Sequence, residues 1–146
     1  MEESIIDIAV LNKNQDPSIL VEVKAGKSYT KASIEHYWQN LHGLADRLNA
    51  DFLMLVTTES ITIWKRSSDE NHPILTLDTK DTLAPYGVFV DPSRASQLSL
   101  EIAAKQWLQD LILKWHSNNP PHINEMRNVG ITDAISDGEV IIEARL

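Results

Sequence analysis

The chain has 146 residues, a formal net charge of −8 and no cysteine. The missing cysteine excludes disulfides, thiolate zinc centres and cysteine nucleophiles. The length suits a single domain spanning residues 1–146, one that buries roughly 68–70% of its unfolded surface without covalent staples. Hydrophobic residues make up 42% of the chain, the share of a folded protein rather than a disordered one.

Ile5 to Leu11 (IIDIAVL) is short and rich in β-branched residues, which predicts a strand. Asn12 to Ser18 has turn chemistry, with Pro17 and no apolar periodicity. A second strand is expected from Ile19 to about Ala25, ended by Gly26, and the short polar loop makes the two an antiparallel hairpin. From Lys31 to about Asn49 the apolar residues Ile34, Tyr37, Trp38, Leu41, Leu44, Ala45 and Leu48 recur at spacings of three and four, predicting a helix capped by Thr30 or Ser33. Strands at 52–57 and 60–66 follow, joined by a Thr58-Glu59 turn, and the alternation of Ile61 and Ile63 with Thr62 and Trp64 predicts a more exposed second face. A short strand is expected at 74–78, and 79–94 reads as irregular, with Pro85, Gly87 and Pro92.

A long amphipathic helix is predicted over about Ser96 to His116, with Leu98, Ile102, Ala103, Trp107, Leu108, Leu111, Ile112 and Trp115 on one broad face. That face suits either core closure or a homodimer. SNNPP at 117–121 breaks the pattern, Ile123 to Ser136 suits one or two short helices, and EVIIEARL after Gly138 predicts a last strand. The expected class is α+β, a central mixed sheet flanked by helices.

The chemistry concentrates in the first hairpin. Glu22 and Lys24 are two apart on a strand and so project from the same face, while Val21 and Val23 turn to the other. Asp7 on the neighbouring strand can add a second carboxylate, and the Val23 backbone carbonyl a further oxygen. A hard divalent cation such as Mg²⁺ takes one or two carboxylates and keeps several waters. Lys24 would stand beside it to orient or deprotonate a nucleophile and to offset charge on a phosphate.

An acidic residue on a strand, a short hairpin and an acidic-x-Lys triplet on the next strand resemble the PD-(D/E)XK nuclease superfamily. Here those residues are Asp7 and Glu22-Val23-Lys24, and a helix followed by a strand pair continues the match through residue 66. Within that superfamily the arrangement resembles the small nuclease domains of type I restriction enzyme motor subunits. The resemblance implies a restriction-endonuclease-like core, a Mg²⁺ or Mn²⁺ cofactor held by Asp7, Glu22 and the Val23 carbonyl, and Lys24 as catalytic base or stabiliser. It also implies Gln39 in support on the helix, and DNA as the partner. The chain departs from the family in four places. Ile6 stands where the nominal motif has proline, and Gly43 stands where a tyrosine follows Gln39. Only Met1 to Ser4 precede the first strand, with Glu2 and Glu3 as stand-ins for a helix-borne Glu. The family's leading helix is therefore either replaced by the 96–116 helix, or the chain is a trimmed or degenerate member.

The charge distribution bears on the DNA expectation, because most non-specific affinity for DNA comes from phosphate neutralisation. Residues 67–146 hold twice as many acids as bases, 12 against 6, whereas 1–66 are nearly balanced, with Lys24, Lys27 and Lys31 after the candidate site. A nucleic-acid surface is thus expected on the N-terminal half, and a catalytically inactive module for binding or assembly is the alternative. His36 and His42 lack the i, i+4 spacing of a paired metal site, so solvated helix positions are expected, with a place near the cleft open to either. Trp38, Trp107 and Trp115 are expected in the core or an interface; Trp64 lies on the face read as more exposed and could stack a base or meet a partner, but a core or subunit contact is the first expectation for it. No run approaches the ~18 apolar residues that span a bilayer, and the acidic start lacks a signal peptide's basic head. A cytoplasmic protein without membrane contact is expected, with a homodimer through the 96–116 helix or a sheet edge as a further option.

Overall fold

A computed structural model describes residues 5–26, 30–68, 70–87, 96–114 and 119–146. Glu2, Glu3, Lys27, Trp115, His116 and the irregular stretch predicted at 88–94 lie outside the described residues.

Strands β1 (Ile5–Leu11) and β2 (Pro17–Lys24) form the expected antiparallel hairpin, with Ile8 opposite Val21 and Val10 opposite Ile19. Asn12 closes the turn, its Oδ1 accepting from the N–H groups of Asn14 at 2.9 Å and Asp16 at 3.1 Å. Helix α1 (Lys31–Leu48) then crosses back over the sheet, so β3 (Phe52–Thr57) runs parallel to β2. Thr30 caps the start of α1, accepting from Ser33 N–H at 3.1 Å, and Asn49 ends it in the left-handed region with φ 59°. Strand β4 (Ser60–Lys65) pairs antiparallel with β3, β5 (Leu75–Asp78) antiparallel with β4, and β6 (Glu139–Arg145) returns to pair antiparallel with β1. The result is a six-stranded mixed sheet in the order β5-β4-β3-β2-β1-β6, with helices on both faces, an α+β fold.

The strand alternation feeds two apolar layers. On one face Trp38, Leu41 and Ala45 of α1 pack against Ala9, Leu20, Leu53, Leu55 and Trp64. On the other, α3 (Gln97–Leu113) sets Leu100, Ala103, Ala104, Trp107, Leu108 and Leu111 against Ile8, Val10, Val21, Val23, Met54 and Val56. The short helices α4 (Ile123–Asn128) and α5 (Ile131–Ala134) seat Ile123, Met126 and Ile131 in the same layer. Strand β3 is buried along its whole length, as a central strand covered on both faces must be.

Three expectations from sequence are corrected. The stretch after β5 is not irregular at its start: α2 (Thr79–Leu83) is capped by Asp78, which accepts from Asp81 N–H at 3.0 Å, and a 3-10 turn at Ala84–Tyr86 follows. A helix of five residues is too short to display a 3.6-residue repeat. The face of β4 that carries Thr62 and Trp64 is not the more exposed one: both are buried, Trp64 takes the core place first expected of it, and its Nε1–H donates to Asn71 Oδ1 at 2.6 Å. Period-two alternation tells which residues share a face, but not which face a helix will cover. On α3, Leu98 and Ile102 are 63% and 40% exposed although they were counted on its apolar face, which the remaining residues use to close the core. Among the described residues, no helix is long and apolar enough to cross a membrane.

Candidate metal site

The last Cα pair between β1 and β2 on this side is Ile8 with Val21, and the gap beyond it defines the site. Residues two apart on a regular strand share a face, yet Ile6 packs in the α1-side layer and Ile8 in the α3-side layer. The strand switches faces at Asp7. Its pairing with β6 steps from Ile6 opposite Ala144 to Ile8 opposite Ile142, skipping Asp7, and Glu143 on β6 has φ 50°. An irregularity of this kind re-aims a side chain. Asp7 points across the gap, and its Oδ2 accepts from Val23 N–H at 2.8 Å.

Backbone groups at such a gap must find other partners. Besides Val23 N–H, the Val23 carbonyl accepts from Gln97 Nε2 at 2.6 Å, and Ala25 N–H donates to Gln97 Oε1 at 2.8 Å. Side chains from β1 and from the first turn of α3 thus replace the missing strand ladder.

Glu22 and Lys24 project to the α1 side, as the alternation requires, since Val21 and Val23 are in the opposite layer. Lys24 Nζ lies 3.5 Å from Glu22 Oε2 and 5.5 Å from the centre of the Tyr37 ring, a cation–π distance. With Ile5, Ile6, Asn40, Leu41 and Leu44 these residues line a pocket of about 190 Å³. Larger clefts of about 490 and 640 Å³ lie near Arg66 and near Asn71. In the pocket at Glu22, the buried Oε2 of Glu22 has Lys24 Nζ as its ion-pair partner.

Burial pushes the Glu22 carboxyl up to about 7, reinforced by proton sharing with Asp7 and by its negative charge, while Lys24 pulls the other way. Burial also works to lower the Lys24 ammonium, but Glu22, Asp7 and Tyr37 outweigh it and hold the amine above the ordinary lysine range. In the absence of a cation the site therefore keeps Lys24 charged and lets Glu22 hold a proton near neutral pH.

The residues present fit a hard divalent ion. Two carboxyl groups converge beside Lys24, and a magnesium ion needs no more than one or two carboxylates from the protein. Among the described residues, no group of three or more His, Asp or Glu side chains is arranged to hold an ion. Val23 brings its carbonyl to the same gap, but that oxygen is already engaged by Gln97 and has only its second lone pair to offer.

Asp7, Glu22 and Lys24 are therefore brought together, and Gln39 is not. Gln39 is exposed on α1 and contacts Glu35 Oε1 at 3.4 Å. The helix residues that line the pocket are Tyr37, Asn40, Leu41 and Leu44, spaced i, i+3, i+4 and i+7. Two residues on from Tyr37, Gln39 is turned about 200° away. Replacing Gln39 by Ala is expected to leave any activity of the site within about twofold, because an exposed contact of this length contributes little; a loss comparable to that of Lys24→Ala in the same assay would contradict the placement. The histidines also stay out. His36 is exposed with its Nε2 3.2 Å from Asn40 Nδ2, and His42 Nε2 donates to the Arg66 carbonyl at 2.9 Å.

Gln97, Tyr37 and Asn40 are the residues sequence reading missed. Tyr37 and Asn40 follow from the helical repeat once one pocket residue on α1 is known, whereas Gln97 lies 72 residues from Ala25 and carries no local signal. Compared with protein-family models, curated proteins and solved structures, the chain matches none.

Proposed function

We propose that the chain is a PD-(D/E)XK nuclease-like domain that hydrolyses phosphodiesters of DNA with Mg²⁺ or Mn²⁺ held by Asp7 and Glu22. The observation that carries this reading is the convergence of two carboxyl groups and an ammonium at one pocket: Lys24 Nζ lies 3.5 Å from the buried Oε2 of Glu22, and Asp7 is close enough to share a proton with Glu22. The order of elements supports the same reading: acidic strand, hairpin, Glu-x-Lys strand, helix α1, then the β3–β4 pair. Helix α3 packs against β1 and β2 on the face opposite α1, which makes it the candidate to replace the family's leading helix.

A bound cation would polarise a phosphoryl oxygen and make an attacking water more acidic. Asp7 is held for the ion by Val23 N–H, which fixes the rotamer of its carboxylate. Glu22 must give up its proton to take part, so ion binding tightens as pH rises through about 7. Lys24, charged over this range and set against the face of Tyr37, offsets negative charge gathering on the phosphate rather than acting as a base. Purified protein with Mg²⁺ or Mn²⁺ is expected to cleave at least one of supercoiled, linear or single-stranded DNA. Asp7→Asn is expected to lower that rate about a hundredfold or more, by loss of the ion; equal rates in the two proteins would refute the assignment.

The net charge of −8 favours one second reading, a non-catalytic module of the same fold that binds or assembles. It predicts no divalent-ion affinity at Asp7 and Glu22. A cytoplasmic location and self-association through α3 or the β6 edge belong to the proposal on the same footing, the latter testable by sedimentation.

A further inference from the structure

We infer that Gln97 is a positioning residue for Lys24: its amide clasps the backbone on both sides of Lys24 and fixes where the ammonium stands over the pocket. The inference rests on the proposed reading of Lys24 as the working cation. It stands on geometry that needs no ion. Gln97 Nε2 donates to the carbonyl of Val23 at 2.6 Å, and Gln97 Oε1 accepts from the N–H of Ala25 at 2.8 Å. The side chain thus imitates the edge of a neighbouring strand for the two peptide groups that flank Lys24, at the place where β1 has left β2. A third bond, from Nε2 to Glu101 Oε1 at 2.9 Å one turn along α3, fixes the amide orientation so that nitrogen faces Val23 and oxygen faces Ala25.

The helix delivering this clasp is itself held. Ser96 caps α3 by accepting from Ser99 N–H at 3.1 Å, and Leu100, Ala103, Ala104 and Trp107 anchor the following turns in the core. On the other side of β2, Lys24 pairs in the parallel ladder with Thr57 of β3. Lys24 is therefore gripped from both edges, by a strand and by a glutamine. Without the glutamine the last residues of β2 lose one edge, and the ammonium is free to leave its position 3.5 Å from Glu22 and 5.5 Å from the Tyr37 ring. The amide is matched to the task, because one group must donate to a carbonyl and accept from an N–H at once. A carboxylate at position 97 keeps the acceptor and loses the donor.

The test is NMR on the full chain without metal or DNA. The ring of Tyr37 shifts the ε-methylene resonance of Lys24 upfield, an assignment checked with Tyr37→Leu, and the Ala25 amide reports the clasp through hydrogen exchange. In Gln97→Met, which keeps length and apolar bulk, the Lys24 resonance is expected to move to its random-coil position and Ala25 to exchange about tenfold faster or more. Because Gln97 is exposed, the melting temperature is expected to stay close to that of the native protein. Gln97→Glu is expected to retain Ala25 protection and still lose most of the Lys24 shift. If Ala25 loses protection in Gln97→Met while the Lys24 resonance stays in place, Gln97 merely caps backbone and the inference is overturned. Where DNA cleavage is observed, Gln97→Met is expected to lower kcat on the order of tenfold to hundredfold with KM unchanged. Absence of cleavage by the native protein counts against the nuclease reading alone, since the resonance of Lys24 is read without it.

Discussion

Lys24→Ala is expected to lower metal-dependent DNA cleavage by about 10²–10³-fold, the scale of losing one group that meets charge developing in the transition state. The loss should fall on kcat, with KM little altered, because the ammonium sits beside two carboxyl groups in a pocket of about 190 Å³ and not on a broad basic surface. Folding should survive. Lys24 has a side chain 37% exposed, and its ion pair with Glu22 is partly solvated, so its removal should cost no more than about 1 kcal/mol. Lys24→Arg serves as control: it keeps the charge but replaces a compact ammonium by a wide planar fork, so partial activity is expected. Cleavage at the native rate in Lys24→Ala would sink the assignment of this residue.

The second large effect concerns stability and pH. Glu22 titrates at about 7 in the folded protein against an ordinary 4.5, chiefly because it is buried and secondly because Asp7 adjoins it. The folded state thus binds a proton between pH 4.5 and 7 that the unfolded chain releases. Stability must therefore fall as pH rises through that window, and the penalty is complete above pH 7. A shift of this size corresponds to at most about 3 kcal/mol, and solvent around the partly open carboxyl reduces it. Glu22→Gln keeps the shape without the charge. It is expected to be more stable than the native protein by about 2 kcal/mol at pH 8, and indistinguishable from it at pH 4. Urea unfolding at both values measures this, and a difference that does not change with pH would contradict it. Mg²⁺ added at pH 8 should narrow the gap, because an ion bound to the native form stabilises it by mass action.

Much of this fold is legible in the sequence. The hairpin, α1, β3 and β4 announce themselves because β-branched runs and three-four spacing reflect how each segment is buried. That Glu22 and Lys24 share a strand face is legible for the same reason, whereas Asp7 joins them through the switch of faces in β1, which alternation alone does not show. What stayed hidden depended on information not carried by a local window. Trp64 was assigned to an open face because alternation does not say that α1 will lie across it. The five-residue α2 left only its Asp78 cap as a trace. Gln39 was chosen by resemblance, and the helical repeat turns it from the pocket that Tyr37, Asn40, Leu41 and Leu44 face. Gln97 was invisible because its role exists only once α3 packs on the α3-side layer and brings residue 97 to the end of β2.

The excess of acid in residues 67–146 remains the strongest physical argument against a DNA substrate. It acts on affinity for the polymer, however, and leaves the two-carboxylate site unaffected. The site and its substrate are therefore separable claims, and the first is the more fundamental.

Titration of the purified protein with Mn²⁺ at pH 8, followed by electron paramagnetic resonance, tests that claim most directly. One ion is expected to bind per chain, with affinity that weakens as pH falls through about 7 and is lost in Asp7→Asn. Binding of equal strength in the native protein and in Asp7→Asn, or no binding at all, would contradict a metal site at Asp7 and Glu22.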